Sequence, residues 1–277
     1  MQFAKLEALG NDFIVMQAAG PPEAEALAGQ AARLCDRRRG IGADGLIVAL
    51  PPTQGGADWG MRIFNADGSE AEMCGNGVRC LALYLRRSGL APDESLTVET
   101  LAGPIRVAWQ GEQMRVEMGR PVLEAAEVPT AQRTGRVILR EICVEDRAFA
   151  VTAVSMGPPH AVIYAEELSD ALVLGYGSKL EGHPFFPRRT NVDFVRVIAE
   201  GEIEMRVYER GCGETPACGT GACAAVVAGV LTGRSGHRVT VHLPGGDLEV
   251  AWDGDPQHSV YLTGPARWVF AGEMAVP

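Results

Sequence analysis

Short runs of apolar and β-branched residues, each of strand length and bounded by turn-forming residues, recur along the whole chain. They fall at Phe13-Ile14-Val15, Leu46-Ile47-Val48, Met61 to Phe64, Ala161 to Tyr164, Val192 to Val197, Val239-Thr240-Val241 and Ser259 to Leu262. Helical spacing stands out at two places. Val78, Leu81, Ala82 and Leu85 share one face and end near Gly89, whereas Ala222 to Leu231 is apolar all round and ends near Gly233. A helix apolar on every side has to be enclosed. The pattern therefore predicts an α/β chain of the α+β kind, with a strongly curved sheet wrapped around a central helix.

The pattern also repeats. Met61-Arg62-Ile63-Phe64-Asn65 aligns without a gap on Met205-Arg206-Val207-Tyr208-Glu209, and the same register sets Cys74 opposite Cys218. Each cysteine opens a turn of Gly, a small polar residue and Gly: Cys74-Gly75-Asn76-Gly77 and Cys218-Gly219-Thr220-Gly221. A weaker echo relates Arg38-Arg39 and Asp44 to Arg188-Arg189 and Asp193. Self-similarity of this kind predicts two homologous halves, each a strand, a loop, a Cys-Gly-X-Gly turn and a helix. A chain of 277 residues exceeds one ordinary domain. The break is expected near Gly119-Arg120-Pro121, giving halves at residues 1–118 and 119–264.

Composition narrows the choice of partners. Nearly half the residues are apolar, enough for a sizeable core, and the formal charge of −10 disfavours nucleic acid or an anionic membrane as the main partner. The one basic run, Arg37-Arg38-Arg39, suits a helix C-terminus better than a binding patch. No stretch approaches the roughly 18 apolar residues that would span a bilayer, and the N-terminus lacks the order of a signal peptide. The protein is expected to be soluble and cytoplasmic. Its seven cysteines form an odd set, which fits free thiols in a reducing compartment.

Which thiols react is then the question. A cysteine at a helix N-terminus faces unsatisfied N–H groups and the positive end of the helix dipole, and both favour thiolate. Cys74 and Cys218 are each placed so, and their glycines allow close backbone approach to a ligand carboxylate. An α-amino acid held between two such thiols could lose its α-proton to one and gain a proton from the other. Inversion of a stereocentre needs two bases in different protonation states, because a lone base returns the proton to the face it came from. No cofactor is required. Cys80 and Cys223 fall at apolar helix positions and read as core, Cys35 and Cys143 stand in no motif, and Cys212 lies in a Gly-flanked loop near the second turn. A metal site at Cys212, Cys218 and Cys223 lacks ligand spacing, and neither turn matches a P-loop. Ser155 and Thr220 read as hydrogen-bond donors rather than nucleophiles.

At these residues the chain closely resembles the diaminopimelate epimerases, nearly end to end. The likeness runs through Lys5 to Val15, Arg39 to Ile47, Phe64 to Cys80, Val154 to Val162, Thr190-Asn191 and Val207 to Ala224. It implies two pseudo-symmetric halves, each a barrel-like sheet around a helix, with the active site in the cleft between them and residues 265–277 returning to the first half. It also implies conversion of LL- to meso-diaminopimelate on the way to lysine and peptidoglycan, with neither pyridoxal phosphate nor metal, in a homodimer. Cys74 and Cys218 match the catalytic positions. Substrate-binding roles carry over to Asn11, Asn65, Gly75, Asn76, Asn191, Glu209, Arg210, Gly219 and Thr220, and thiol-tuning roles to His160 and Glu209. One position departs: Pro158 stands where the family commonly has an Asn that holds the far end of the substrate. Two other readings follow from that and from the thiols alone: a racemase for another amino acid such as lysine or histidine, and a noncatalytic thiol protein that binds amino acids.

Overall fold

The computed structural model describes residues 1–92 and 94–274. The chain begins with β1 (Gln2–Ala8), β2 (Asn11–Gln17), helices α1 (Pro21–Ala28) and α2 (Ala31–Cys35), β3 (Gly45–Leu50), β4 (Trp59–Asn65) and β5 (Glu70–Ala71). Helix α3 (Gly75–Arg87) and strands β6 (Ser95–Thr100), β7 (Gly103–Gln110) and β8 (Gln113–Glu117) follow. Next come β9 (Arg140–Val144), β10 (Arg147–Ser155), β11 (Pro159–Tyr164), α4 (Asp170–Glu181), β12 (Asn191–Ala199), β13 (Glu202–Glu209) and β14 (Gly213–Thr215). The chain closes with α5 (Gly219–Thr232), β15 (Arg238–Leu243), β16 (Gly246–Ala251), β17 (Tyr261–Gly264) and β18 (Arg267–Glu273). It divides into two units, Met1–Glu117 with Thr263–Pro277, and Met118–Leu262. Residues 275–277 of the returning segment lie outside the described residues.

In the first unit β18 pairs with β1, β1 with β2, and β2 runs parallel to β3. Strand β3 pairs with β4, which runs parallel to β6, and β6, β7 and β8 form a meander. The curved sheet wraps α3, which touches β1, β2, β3, β4, β7, β8 and β18. Strand β3 is buried on both faces because Ile47 points to α3 while Leu46 and Val48 pack under α1 and α2. A strand covered on both sides reads as a continuous apolar run rather than an alternating one.

The second unit repeats this order: β9 pairs with β10, β10 with β11, β11 runs parallel to β12, and β12 pairs with β13, which runs parallel to β15. Helix α5 is its centre, touching β10, β11, β12 and β16, and Ala222 to Gly229 are all buried. Helix α4 covers the outer face through Leu172, Val173 and Leu180, against Phe194 and Val192. Its N-cap is Ser169, whose side chain accepts from the N–H of Leu172. Its two glycines and weak amphipathicity left no legible periodicity. Both central helices stop as their sequences predict, α3 just before Gly89 (φ 69°) and α5 at Gly233 (φ 66°).

Register sharpens the internal repeat. The pairs Ile63↔Ala71 and Val207↔Thr215 hold β5 and β14 in matching places. The same two-pronged ion pair ties each hairpin, Arg62 Nε to Glu70 Oε1 at 2.7 Å and Arg206 Nε to Glu214 Oε1 at 2.7 Å. The weaker echo does not survive. Leu46 opposes Phe64 and Val192 opposes Tyr208, so Asp193 matches Ile47, and Asp44 matches Thr190. The like-charged pair that suggested the echo occupies two different places. Parallel pairing of Ile14 with Leu46 and of Ala161 with Val192 then matches His160 to Phe13 and Pro158 to Asn11. The basic run also differs from expectation: it begins two residues past α2, and Arg37 binds Asp12 and Asp44 rather than the helix end.

Two helical glycines should respond to alanine with opposite sign. A Cβ at Gly229 would fall on the Ser235 hydroxyl and the Tyr164 hydroxyl, and Tyr164 donates to Ala225 O at 2.9 Å. Gly229→Ala is expected to cost about 1 to 3 kcal/mol by overpacking. Gly175 in α4 has nothing within 4 Å of such a Cβ. Gly175→Ala should gain about 0.5 to 1 kcal/mol from helix propensity. Urea unfolding of both variants checks the pair; equal signs would contradict the packing described.

Candidate active site

Cys74 is the N-cap of α3 and Cys218 the N-cap of α5, both in extended conformation, and neither side chain caps its helix. Uncapped first-turn N–H groups of this kind can accept an anion at a helix start. The second glycine of each turn is required by packing within its own unit. A Cβ at Gly77 would lie 2.9 Å from Ile63 Cδ1, and one at Gly221 would lie 2.6 Å from Asp193 Oδ1.

In the first unit, Asn11 opens β2 and its amide is oriented by a carboxylate: Nδ2 donates to Asp44 Oδ2 at 2.9 Å. That leaves Oδ1 to accept from Asn76 Nδ2 at 3.3 Å and to face Cys74 Sγ at 3.9 Å. Asn76 is fixed in turn by Arg79, which is fully buried and donates to Asn76 Oδ1 at 2.8 Å, to Gly75 O at 3.2 Å and to Pro265 O at 3.1 Å. Behind Asn11, Asp12 accepts from Arg37 at 2.7 Å and pairs with the buried Lys5 at 2.7 Å. Burial works against ionisation of Asp12, but the hydrogen bonds from Arg37 and Lys5 prevail and hold its carboxyl well below the usual carboxylate range. Asn65 stands apart from this cluster, exposed at the end of β4, with Nδ2 on Ser69 Oγ at 2.9 Å.

In the second unit, a chain of contacts leads to Cys218. Its Sγ lies 3.4 Å from Thr220 Oγ1, which lies 3.1 Å from His160 Nε2, and His160 Nδ1 lies 2.8 Å from Asp193 Oδ2. Asn191 places Nδ2 3.4 Å from the same Nε2, and its Oδ1 accepts the backbone N–H of Arg210 at 2.8 Å. The loop that carries Arg210 is braced by Glu181 of α4. This buried carboxylate accepts from Gly211 N at 2.7 Å and from Arg189 at 2.7 Å. Glu209 accepts the hydroxyl of Thr215.

The thiols differ in environment. Burial pushes Cys218 well above the ordinary thiol range, with Glu209 and Asp193 adding to the shift, while Thr220 and the N–H of Gly221 oppose it. The helix N-terminus alone was expected to favour thiolate; at Cys218 desolvation outweighs it. Cys80 and Cys223 are wholly buried in their helices, Cys35 is buried and pushed up to about 11 by desolvation, and Cys143 and Cys212 are exposed. Among the described residues no group of His, Cys, Asp or Glu is arranged to hold a metal, and no helix is long and apolar enough to cross a membrane.

The family model described as "Diaminopimelate epimerase" matches residues 3–124 and 152–269. A curated diaminopimelate epimerase of Desulforudis audaxviator is 52% identical, aligned over 99% of this chain and 99% of its own. That of Moorella thermoacetica is 51% identical over the same shares. This chain belongs to the diaminopimelate epimerase family. Solved structures share its fold at low identity. A probable proline racemase of Agrobacterium radiobacter matches with a TM-score of 0.71 at 18% identity, covering 100% of this chain and 93% of that one. A hydroxyproline epimerase of Agrobacterium vitis matches with a TM-score of 0.70 at 16% identity, over 98% and 90%.

Within each half of this family fold, the structure gathers Asn11, Gly75 and Asn76 around Cys74, and His160, Asn191, Gly219 and Thr220 around Cys218. Glu209 and Arg210 follow Tyr208 at the end of β13; the Arg210 N–H is held by Asn191, and the Glu209 carboxylate by Thr215. The sequence reading missed the residues that orient these groups: Asp44, Arg79, Glu181, Thr215 and Asp193. Two carried a signal. Arg79 and Asp193 are charged residues inside otherwise apolar runs, a placement that demands a partner.

Proposed function

We propose that this chain interconverts LL- and meso-diaminopimelate without a cofactor, with Cys74 and Cys218 as its two acid–base groups. One thiolate removes the α-proton, and the other thiol delivers a proton to the opposite face of the carbanion. The observation that carries this reading is the pair of cysteine N-caps on two buried, matched helices. The N–H groups of Gly75, Asn76, Gly219 and Thr220 would stabilise charge growing on the substrate carboxylate. Asn11, Asn65, Asn191, Glu209 and Arg210 supply the donors and acceptors a second amino-carboxylate end requires. His160 and Glu209 tune the thiols. The activity belongs to cytoplasmic synthesis of lysine and peptidoglycan precursors.

Incubation of the reduced protein with LL-diaminopimelate, followed by chiral separation, should yield the meso isomer, with lysine and histidine unchanged. Inversion of one of those controls alone would move the assignment to a racemase of another amino acid. No inversion of any would support a binding protein. Pro158 bears on the first alternative, since it occupies in the second unit the place of Asn11 in the first. Pro158→Asn restores an amide there and should lower KM for diaminopimelate about tenfold, the worth of one hydrogen bond to a charged group. An unchanged KM would show that this position does not meet the substrate. A homodimer is proposed from the same resemblance. Val269 and Phe270, 54% and 46% exposed on β18, are apolar positions that a second copy would cover. Light scattering of the purified protein tests it.

A further inference from the structure

The two units offer an internal control for what the scaffold itself needs. At one place beside the central helix the first unit has Ile47, whose Cδ1 would lie 3.3 Å from a Cβ at Gly77. The second unit has Asp193 in the same register, its Oδ1 against Gly221. On the neighbouring strand the first unit has Phe13 where the second has His160. The fold is therefore built once with an apolar pair and once with a carboxylate and an imidazole, both 0% exposed. Burying such a pair costs free energy that the apolar pair does not. The cost is only partly offset, since Asp193 Oδ1 has no hydrogen-bond partner among the described residues.

Hydrogen bonding around His160 fixes its protons. The backbone N–H of Arg210 can only donate, so Asn191 must turn Oδ1 toward it. Asn191 Nδ2 then faces His160 Nε2 as a donor, at 3.4 Å. His160 Nε2 must therefore carry a lone pair, and its proton sits on Nδ1, donated to Asp193 Oδ2 at 2.8 Å. The two donors share that single lone pair, and the nearer, the Thr220 hydroxyl at 3.1 Å, donates to Nε2 and accepts from the Cys218 thiol at 3.4 Å.

We infer that Asp193 is a positioning residue that holds His160 in the Nδ1–H tautomer, so that the Cys218 proton can pass through the Thr220 hydroxyl to His160 Nε2 and back. In the forward step the Cys218 S–H bond breaks and the sulfur keeps the electron pair. The proton goes to the Thr220 oxygen as the Thr220 proton goes to Nε2, and the imidazolium faces Asp193. The reverse step restores the thiol. This relay supplies what burial withholds, an acceptor for a thiol that does not ionise readily by itself. The inference rests on the reading of Cys218 as an acid–base group, and it adds a residue to that reading.

The test transplants the apolar pair of the first unit into the second. The double variant His160→Phe with Asp193→Ile should melt no lower than the wild type, yet lose kcat for diaminopimelate about 100-fold or more. Asp193→Asn should lower kcat about 10- to 100-fold with KM little changed. Thr220→Val should fall with it, and Thr220→Ser should recover activity. Nitrogen-15 spectra should place the His160 proton on Nδ1 in the wild type and move it in Asp193→Ala. Cys218→Ala is measured beside them. If Cys218→Ala is inactive while Asp193→Asn keeps full kcat, or if the wild-type proton sits on Nε2, the relay is wrong although the cysteine reading stands. If Cys218→Ala is active, the cysteine reading itself is wrong. Melting curves for Asp193→Asn and Thr220→Val separate loss of function from loss of fold, and low kcat in folded variants supports the relay.

Discussion

Cys218→Ala is expected to lower inversion of LL-diaminopimelate by about 10³-fold or more while the protein still folds, and Cys74→Ala should do the same. General acid–base groups each contribute about 10²- to 10⁴-fold, and inversion requires one on each face of the carbanion. The remaining thiol in either variant can still take and return a proton on its own face. Slow exchange of the α-hydrogen with solvent should therefore outlast inversion. Folding should be spared because each change removes one sulfur at a helix start where the side chain makes no cap. Circular dichroism confirms the fold, and chiral chromatography with mass detection reads inversion and exchange separately. Full inversion by either variant would remove the two-cysteine mechanism.

Asp12→Ala should produce the largest loss of stability, about 3 to 5 kcal/mol, because it leaves a buried cation without its carboxylate. Lys5 is 7% exposed and Asp12 19%, so water can compensate little. The sign with pH follows from the depressed pKa of Asp12. Stability gained by an acid held below its ordinary range is complete above that range and is lost as pH falls through it. The gap between wild type and variant in urea unfolding should be widest at about pH 7 and narrower at about pH 3. A gap that does not narrow would show that the loss comes from packing around Lys5. The same network orients Asn11 through Asp44, so activity should fall as well.

Much of this was legible from residue pattern. Helix α5 announced its burial because no face of Ala222 to Leu231 is polar, and enclosure by a curved sheet followed. The offset that takes Cys74 to Cys218 also governs two hairpins and their ion pairs, so the repeat could be read from sequence and then verified in register. Failure came where meaning depends on which face of a strand a residue occupies. Asp44 and Asp193 looked equivalent because both follow an Arg pair, but a parallel strand buried on both sides has no alternation to reveal its register. Helix α4 was invisible for a different reason, its glycines and its weak amphipathicity. Asn11, Asn191 and His160 stood out as candidates, but the groups that orient them come from distant parts of the chain. Spacing along the sequence carries no trace of such contacts.

The central claim is that two different groups handle the proton on the two faces of the α-carbon. Its most direct test is a brief incubation of LL-diaminopimelate with the protein in deuterated water, stopped at low conversion. Two-base chemistry predicts that the meso product carries α-deuterium at the inverted centre while recovered LL substrate remains largely undeuterated. Product that retains the original α-hydrogen would mean that a single group moves the proton from one face to the other, and the account given for Cys74 and Cys218 would be contradicted.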